Sequence, residues 1–115
     1  MRRDMDLVRA ILQRVASADD GWDSEAFESY SEELVVYHVG IMIEAGLLSA
    51  TDASSIHSAS YMNCQLTWAG NDFLDSALEP KRWNEAKALI DKVGGASLQV
   101  WTDVLAKITM NALGL

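Results

Sequence analysis

Between Ser31 and Leu48 the chain runs S-E-E-L-V-V-Y-H-V-G-I-M-I-E-A-G-L-L, and this stretch leaves little choice of fold. Its apolar residues recur at helical spacing, which predicts one amphipathic helix. Ser31 is a candidate N-cap, and Ser29 with Glu32 has the competing spacing of a capping box. Leu34, His38, Ile41 and Ala45 fall on one expected face, with Val35 and Met42 beside them. Gly46 suits the left-handed residue that follows a helix end, and Leu47-Leu48 then leads into a strand.

The flanking segments read in the same way. Asp4 is placed to cap a first helix, whose Met5, Val8, Ile11, Leu12 and Val15 form a buried stripe. That helix should fade near Ala18, before the turn Asp19-Asp20-Gly21. In residues 22–30, Ser24 is placed to cap a short helical turn with Trp22 and Phe27 inward. Residues 49–60 are small and polar, as in a hairpin tip or loop. Tyr61 to Leu66 roughly alternates and predicts the returning strand. Thr67 can cap a further helix with Trp68, Phe73, Leu74 and Ala77 directed to the core. Pro80, the only proline, suits the first turn of the next helix. Trp83, Ala86, Leu89, Ile90 and Val93 continue a buried stripe up to Gly94-Gly95. A last helix, from about Ser97 to Ala112, carries Leu98, Trp101, Leu105, Ile108 and Ala112 on one face.

The expected fold class is therefore mainly α with a small β-hairpin (α+β). The order of elements predicts a winged-helix-like domain with two extra C-terminal helices. One domain spans residues 1–115, with a core over 1–79 and a helical extension over 80–115. A chain of 115 residues has room for one hydrophobic core. No apolar run is long enough to predict a membrane span. Charges in Met1-Arg2-Arg3-Asp4-Met5-Asp6 argue against a signal peptide. A single cysteine, Cys64, allows no internal disulfide and points to the reducing cytoplasm.

Several segments together resemble an uncharacterised family of small proteins from phages, prophages and bacteria. They are Met1 to Arg9, Tyr30 to Val39, Glu44 to Leu48, and Leu66-Thr67-Trp68-Ala69-Gly70-Asn71-Asp72-Phe73-Leu74-Asp75 with a tryptophan soon after. The resemblance covers nearly the whole chain. It implies a winged-helix-like fold and a mobile-element setting, and it implies no activity. His38, Met42 and Ala45-Gly46-Leu47, followed by Leu66-Thr67 and Gly70, also resemble small bacterial winged-helix regulators. That resemblance implies that Glu33 to Ala45 holds the place of a DNA-recognition helix.

The charge map opposes that role. The basic residues are Arg2, Arg3, Arg9, Arg14, Lys81, Arg82, Lys87, Lys92 and Lys107, with none between residues 15 and 80. The same window holds Asp19, Asp20, Asp23, Glu25, Glu28, Glu32, Glu33, Glu44, Asp52, Asp72, Asp75 and Glu79, and the net charge is -8. DNA binding draws most of its affinity from Lys and Arg on phosphates, and base reading most often uses the same residues. A DNA-binding chain of this kind would have to use its terminal helices. The acidic window instead suits a protein partner with a basic surface. Such acids also keep small domains soluble with no partner involved. The expected partner surface comprises Trp22, Glu25, Glu28, Glu32, Glu33, Tyr37 and Glu44. Trp22 is expected to stand partly exposed as an aromatic anchor, with Phe27 and Tyr30 nearby.

Nothing in the sequence supports catalysis. No nucleophile elbow occurs, and Gly94-Gly95 lacks the Lys-Ser or Lys-Thr of a phosphate loop. His38 reads as a packing histidine, and His57 as a solvated loop residue. His38, His57 and Cys64 lack paired metal-ligand spacing. No cofactor or metal is expected. The last helix carries Val100, Val104 and Met110 off its main stripe, which suits either packing within one subunit or a homodimer. The expectation is a non-enzymatic, phage-type interaction protein that binds a basic partner, such as a host nucleic-acid-binding defence complex of the CRISPR type, and inhibits it. The alternative is a DNA-binding winged-helix transcriptional regulator.

Overall fold

A computed structural model describes all residues, 1–115. The fold is α+β. Its helices are α1 (Met5–Ser17), α2 (Glu32–Glu44), α3 (Trp68–Ala77), α4 (Pro80–Asp91) and α5 (Leu98–Ala112). Strands β1 (Leu48–Asp52) and β2 (Tyr61–Leu66) form an antiparallel hairpin between α2 and α3. The chain makes two compact units, Met1–Asn71 and Asp72–Leu115, and α3 begins in one and ends in the other. No helix is long and apolar enough to cross a membrane.

In the first unit, α1 starts where Asp4 accepts hydrogen bonds from the N–H groups of Asp6 (2.9 Å) and Leu7 (3.3 Å). These satisfy two of the donors that a helix start leaves open. The buried face is Leu7, Val8, Ile11, Leu12 and Val15. Leu7 thus takes the core position expected of Met5, which is half-buried.

Helix α2 is capped by Ser31, whose hydroxyl accepts from the Leu34 N–H at 3.2 Å. Its buried face is Val35, Val36, His38, Val39 and Met42, rotated from the expected face through Leu34, Ile41 and Ala45. The helix is apolar on nearly every side, so spacing alone does not set its phase. His38 does. It is wholly buried, and its Nε2 accepts the backbone N–H of Asp4 at 2.8 Å. An accepting Nε2 places the ring proton on Nδ1, which donates to the Leu34 carbonyl at 2.9 Å. Both ring nitrogens are satisfied, and the start of α1 is tied to the middle of α2.

The expected helical turn at residues 22–30 does not form. Trp22 and Cys64 exchange backbone hydrogen bonds of 3.1 and 2.7 Å, and the Ser24 N–H donates to the Tyr61 carbonyl at 2.9 Å. Residues 22–24 therefore lie along the edge of β2 that β1 leaves free. Phe27 and Tyr30 close a tight turn through Glu28, whose φ is 53°. Pairing with an existing strand adds a bond for each residue fixed, whereas a single helical turn carries the full cost of nucleation. Trp22 and Phe27 do point inward, in edge-to-face contact at 5.9 Å.

The hairpin runs from Leu48↔Leu66 to Asp52↔Tyr61, with a bulge between Ser49 and Thr51. After it, the Thr67 hydroxyl accepts from the Gly70 N–H (3.0 Å) and donates to the Gly46 carbonyl (2.5 Å). Gly70 then lies so close to Leu47 that a Cβ would collide with the Leu47 carbonyl oxygen. This contact sets the phase of α3 and corrects one expectation: Trp68, two residues back, points to solvent and is 85% exposed.

In the second unit, Phe73, Leu74 and Ala77 are buried. Glu79 caps α4 by accepting from the N–H groups of Lys81 (3.1 Å) and Arg82 (2.9 Å), and Pro80 follows in the first turn. Those bonds hold the Glu79 carboxyl below its usual range. Trp83 stacks on Trp101 at 4.7 Å and 26°, and Phe73 meets Trp83 edge-on at 6.5 Å. Leu89 and Val93 are exposed rather than buried; α4 stops at Asp91, so Val93 belongs to the turn before Gly94. Ser97 caps α5, which buries Trp101, Leu105 and Ile108 and leaves Ala112 exposed.

His38→Ala should lower stability by about 2–4 kcal/mol, from the lost packing and the orphaned Asp4 N–H, measured by urea unfolding. A loss under ~1 kcal/mol would mean that the bridge to α1 is dispensable. Cys64 is buried, and its thiol is pushed up to about 11 by that burial and by the charge of Asp23. At pH 8 only about one thiol in a thousand is then thiolate. Folded protein should therefore resist iodoacetamide, with labelling appearing only as denaturant unfolds the chain.

Candidate functional site

The phase of α2 decides which side chains it offers to solvent. With Val35, His38, Val39 and Met42 inward, the opposite stripe runs Glu33, Tyr37, Gly40 and Ile41, Glu44. That stripe faces an open groove of about 1030 Å³ between α2 and the hairpin. Glu32 and Glu33 line it near one end of α2 and Glu44 at the other, while Asp52 contributes from β1. Val36, Ile41, Ile43 and Ala50 add apolar lining between these acids. No lysine or arginine lines it.

Three aromatic or small residues shape the groove. Tyr37, at the border of exposure, donates its hydroxyl to the Met1 carbonyl at 3.2 Å and sets its ring edge-on to His38 at 5.4 Å. Tyr61 reaches across from β2, and its hydroxyl lies 3.0 Å from the point a Cβ of residue 40 would occupy. Gly40 is thus what lets the tyrosine ring approach the helix. On the hairpin side, His57, Ser58 and Ala59 form part of the wall.

The hairpin tip is internally bonded. The Ser55 N–H donates to the Ser58 carbonyl at 2.8 Å, and the Ser55 hydroxyl accepts from the N–H groups of His57 (3.3 Å) and Ser58 (3.2 Å). The Ser54 hydroxyl accepts from the Ser60 N–H at 3.0 Å. The Ser54 N–H donates to Asp52 at 2.9 Å. The side chain and N–H of Ser54, in that order, hold the Asp52 carboxyl below its usual range. Its negative charge therefore persists into more acidic solution than that of a free aspartate.

Of the residues singled out from the sequence, Glu32, Glu33, Tyr37 and Glu44 come together on this groove. Glu25 and Glu28 are exposed outside it. Glu25 pairs with Arg14 at 3.5 Å across an exposed surface, where such a pair contributes little. Trp22 is a correction: it is only 6% exposed, held by its bridge to Cys64, and offers no ring to a partner. The expected partner surface did not include Asp52, His57, Gly40 or Tyr61, because their placement depends on how the hairpin folds back over α2. No three His, Cys, Asp or Glu side chains are grouped to share a metal ion.

Residues 2–97 match the model of a family described as hypothetical protein (DUF2513). The chain is also 30% identical, over 116 residues, to an uncharacterized protein of Haemophilus influenzae (strain ATCC 51907 / DSM 11121 / KW20 / Rd). That match covers 98% of this chain and 96% of the relative. No solved structure matches.

Ser54→Ala removes the larger of the two influences on Asp52. The Asp52 carboxyl should then titrate at higher pH than in the parent protein, read from its side-chain carbon shift by NMR. An unchanged titration would mean that the Ser54 hydroxyl does not hold this carboxylate.

Proposed function

The chain belongs to the DUF2513 family, and from the acidic groove on its α2 face we propose that it acts by binding a protein partner with a basic surface. The observation that carries this reading is the face itself: four carboxylates line the groove, and no lysine or arginine side chain does. Complementary charges across an interface speed association and reject wrongly charged partners. Surfaces with the matching positive charge are those that normally hold nucleic acid. We therefore read the protein as a phage-type inhibitor that occupies such a surface, for example on a host defence complex of the CRISPR type.

The order of elements also supports a winged-helix reading. Helix α1, the extended residues 22–24, α2 and the hairpin follow in an order like that module's, although a tight turn at Phe27–Tyr30 stands where its helix before the recognition helix would be; on this reading α2 corresponds to the recognition helix. The same order favours the second reading, a DNA-binding regulator. Charge separates the two, since α2 carries Glu32, Glu33 and Glu44 and no cation that could neutralise a phosphate. A DNA contact would have to fall to the basic residues of the terminal helices.

Fluorescence anisotropy at low salt, repeated as salt rises, should show no binding to mixed-sequence duplex DNA. It should show salt-sensitive binding to a labelled arginine-rich peptide. Glu32→Lys combined with Glu33→Lys should weaken the peptide by about tenfold or more at low salt. DNA binding that falls steeply with salt would overturn the protein-partner reading in favour of the regulator.

A further inference from the structure

We propose that the groove receives a segment of its protein partner that has cationic side chains at both ends and an apolar centre. This rests on the basic-partner reading and names the shape and chemistry of what is bound. Charge alone does not explain the lining. Glu33 and Glu44 lie eleven residues apart on one helix, which at the α-helical rise is about 16 Å. Between them α2 places no charge on the groove: Tyr37, Gly40 and Ile41 occupy the middle of the stripe, and Tyr61 closes over Gly40 from the hairpin.

This apolar middle is surplus to the core. Helix α2 already buries Val35, Val36, His38, Val39 and Met42, yet Ile41 and Ile43 on its other sides are only half-buried. A surface helix of a small domain ordinarily turns polar residues to that side. An apolar strip rimmed by charge is the pattern of a docking surface. The rim fixes the partner's chemistry by complementarity: carboxylates at both ends require cations at both ends, about one α2 length apart. Long lysine or arginine side chains suit these positions, because their aliphatic stems can lie on Tyr37 and Tyr61 while their heads reach Glu33, Glu44 and Asp52. Beyond the wall made by His57 and Ser58, the adjacent tip residue Ile56 stands 93% exposed on the internally bonded turn, a ready flank for the same segment.

Two synthetic peptides of equal net charge test this, both with lysines at the two ends. One has leucine and valine between them, and the other has glycine and serine. Isothermal titration at low salt should show the apolar-centred peptide binding at least about tenfold tighter. Ile41→Ser removes part of the apolar floor, and Gly40→Val displaces the Tyr61 hydroxyl. Each should erase that difference, provided that its thermal unfolding stays cooperative. Glu33→Lys with Glu44→Lys should weaken both peptides alike. Equal affinity of the two peptides for the parent protein would overturn the apolar-centred segment and leave the basic-partner reading standing. A difference that survives both floor variants would also overturn it, by placing the apolar contact elsewhere. Failure of both peptides to bind would sink the basic-partner reading itself.

Discussion

The imidazole of His38 holds the first unit in register. Its two nitrogens face opposite demands, one taking the Asp4 N–H and the other giving a proton to the Leu34 carbonyl. A buried ring with both nitrogens satisfied costs little to keep, while any rotation of α2 would strand at least one polar group. The bond therefore does more than join two helices. It selects one rotational setting of a helix that is apolar almost all round, and with it the residues left on the outside. The acidic groove is a consequence of that choice.

A second close approach does the same for α3. The Gly70 backbone lies against the Leu47 carbonyl, and only a residue without a side chain fits there. The helix is pinned at a glycine, so the bulky residue two positions before it cannot also face inward. Trp68 is turned out and Trp22 is turned in, the reverse of what their sequence surroundings suggested.

That reversal marks where sequence patterns stop being informative. Helix starts were legible because caps are local: Asp4, Ser31, Thr67 and Ser97 each satisfy a backbone donor two or three residues away. The returning strand was legible because alternation is local too, whereas β1 runs on to Asp52, through residues whose small polar character reads as loop, because pairing with β2 holds them extended. Residues 22–30 were not, since their extended form depends on pairing with β2, some forty positions on. The candidate site divides along the same line. Glu32, Glu33, Tyr37 and Glu44 stand out on one helix, within a stretch of sequence that has no lysine or arginine. Asp52 and Tyr61 join them only because a bulged hairpin folds back, and Gly40 gains a role only when Tyr61 arrives above it.

The stacked pair Trp83 and Trp101 carries a consequence of a different kind. Two indoles 4.7 Å apart and 26° from parallel couple their electronic transitions, so the second unit has a circular-dichroism signature of its own. The first unit has none of this sort, with Trp22 packed against a phenylalanine and Trp68 in water. Each unit thus holds a separate chromophore environment. Without any label, one spectrum recorded through an unfolding transition distinguishes a chain that melts as a whole from one whose halves let go in turn.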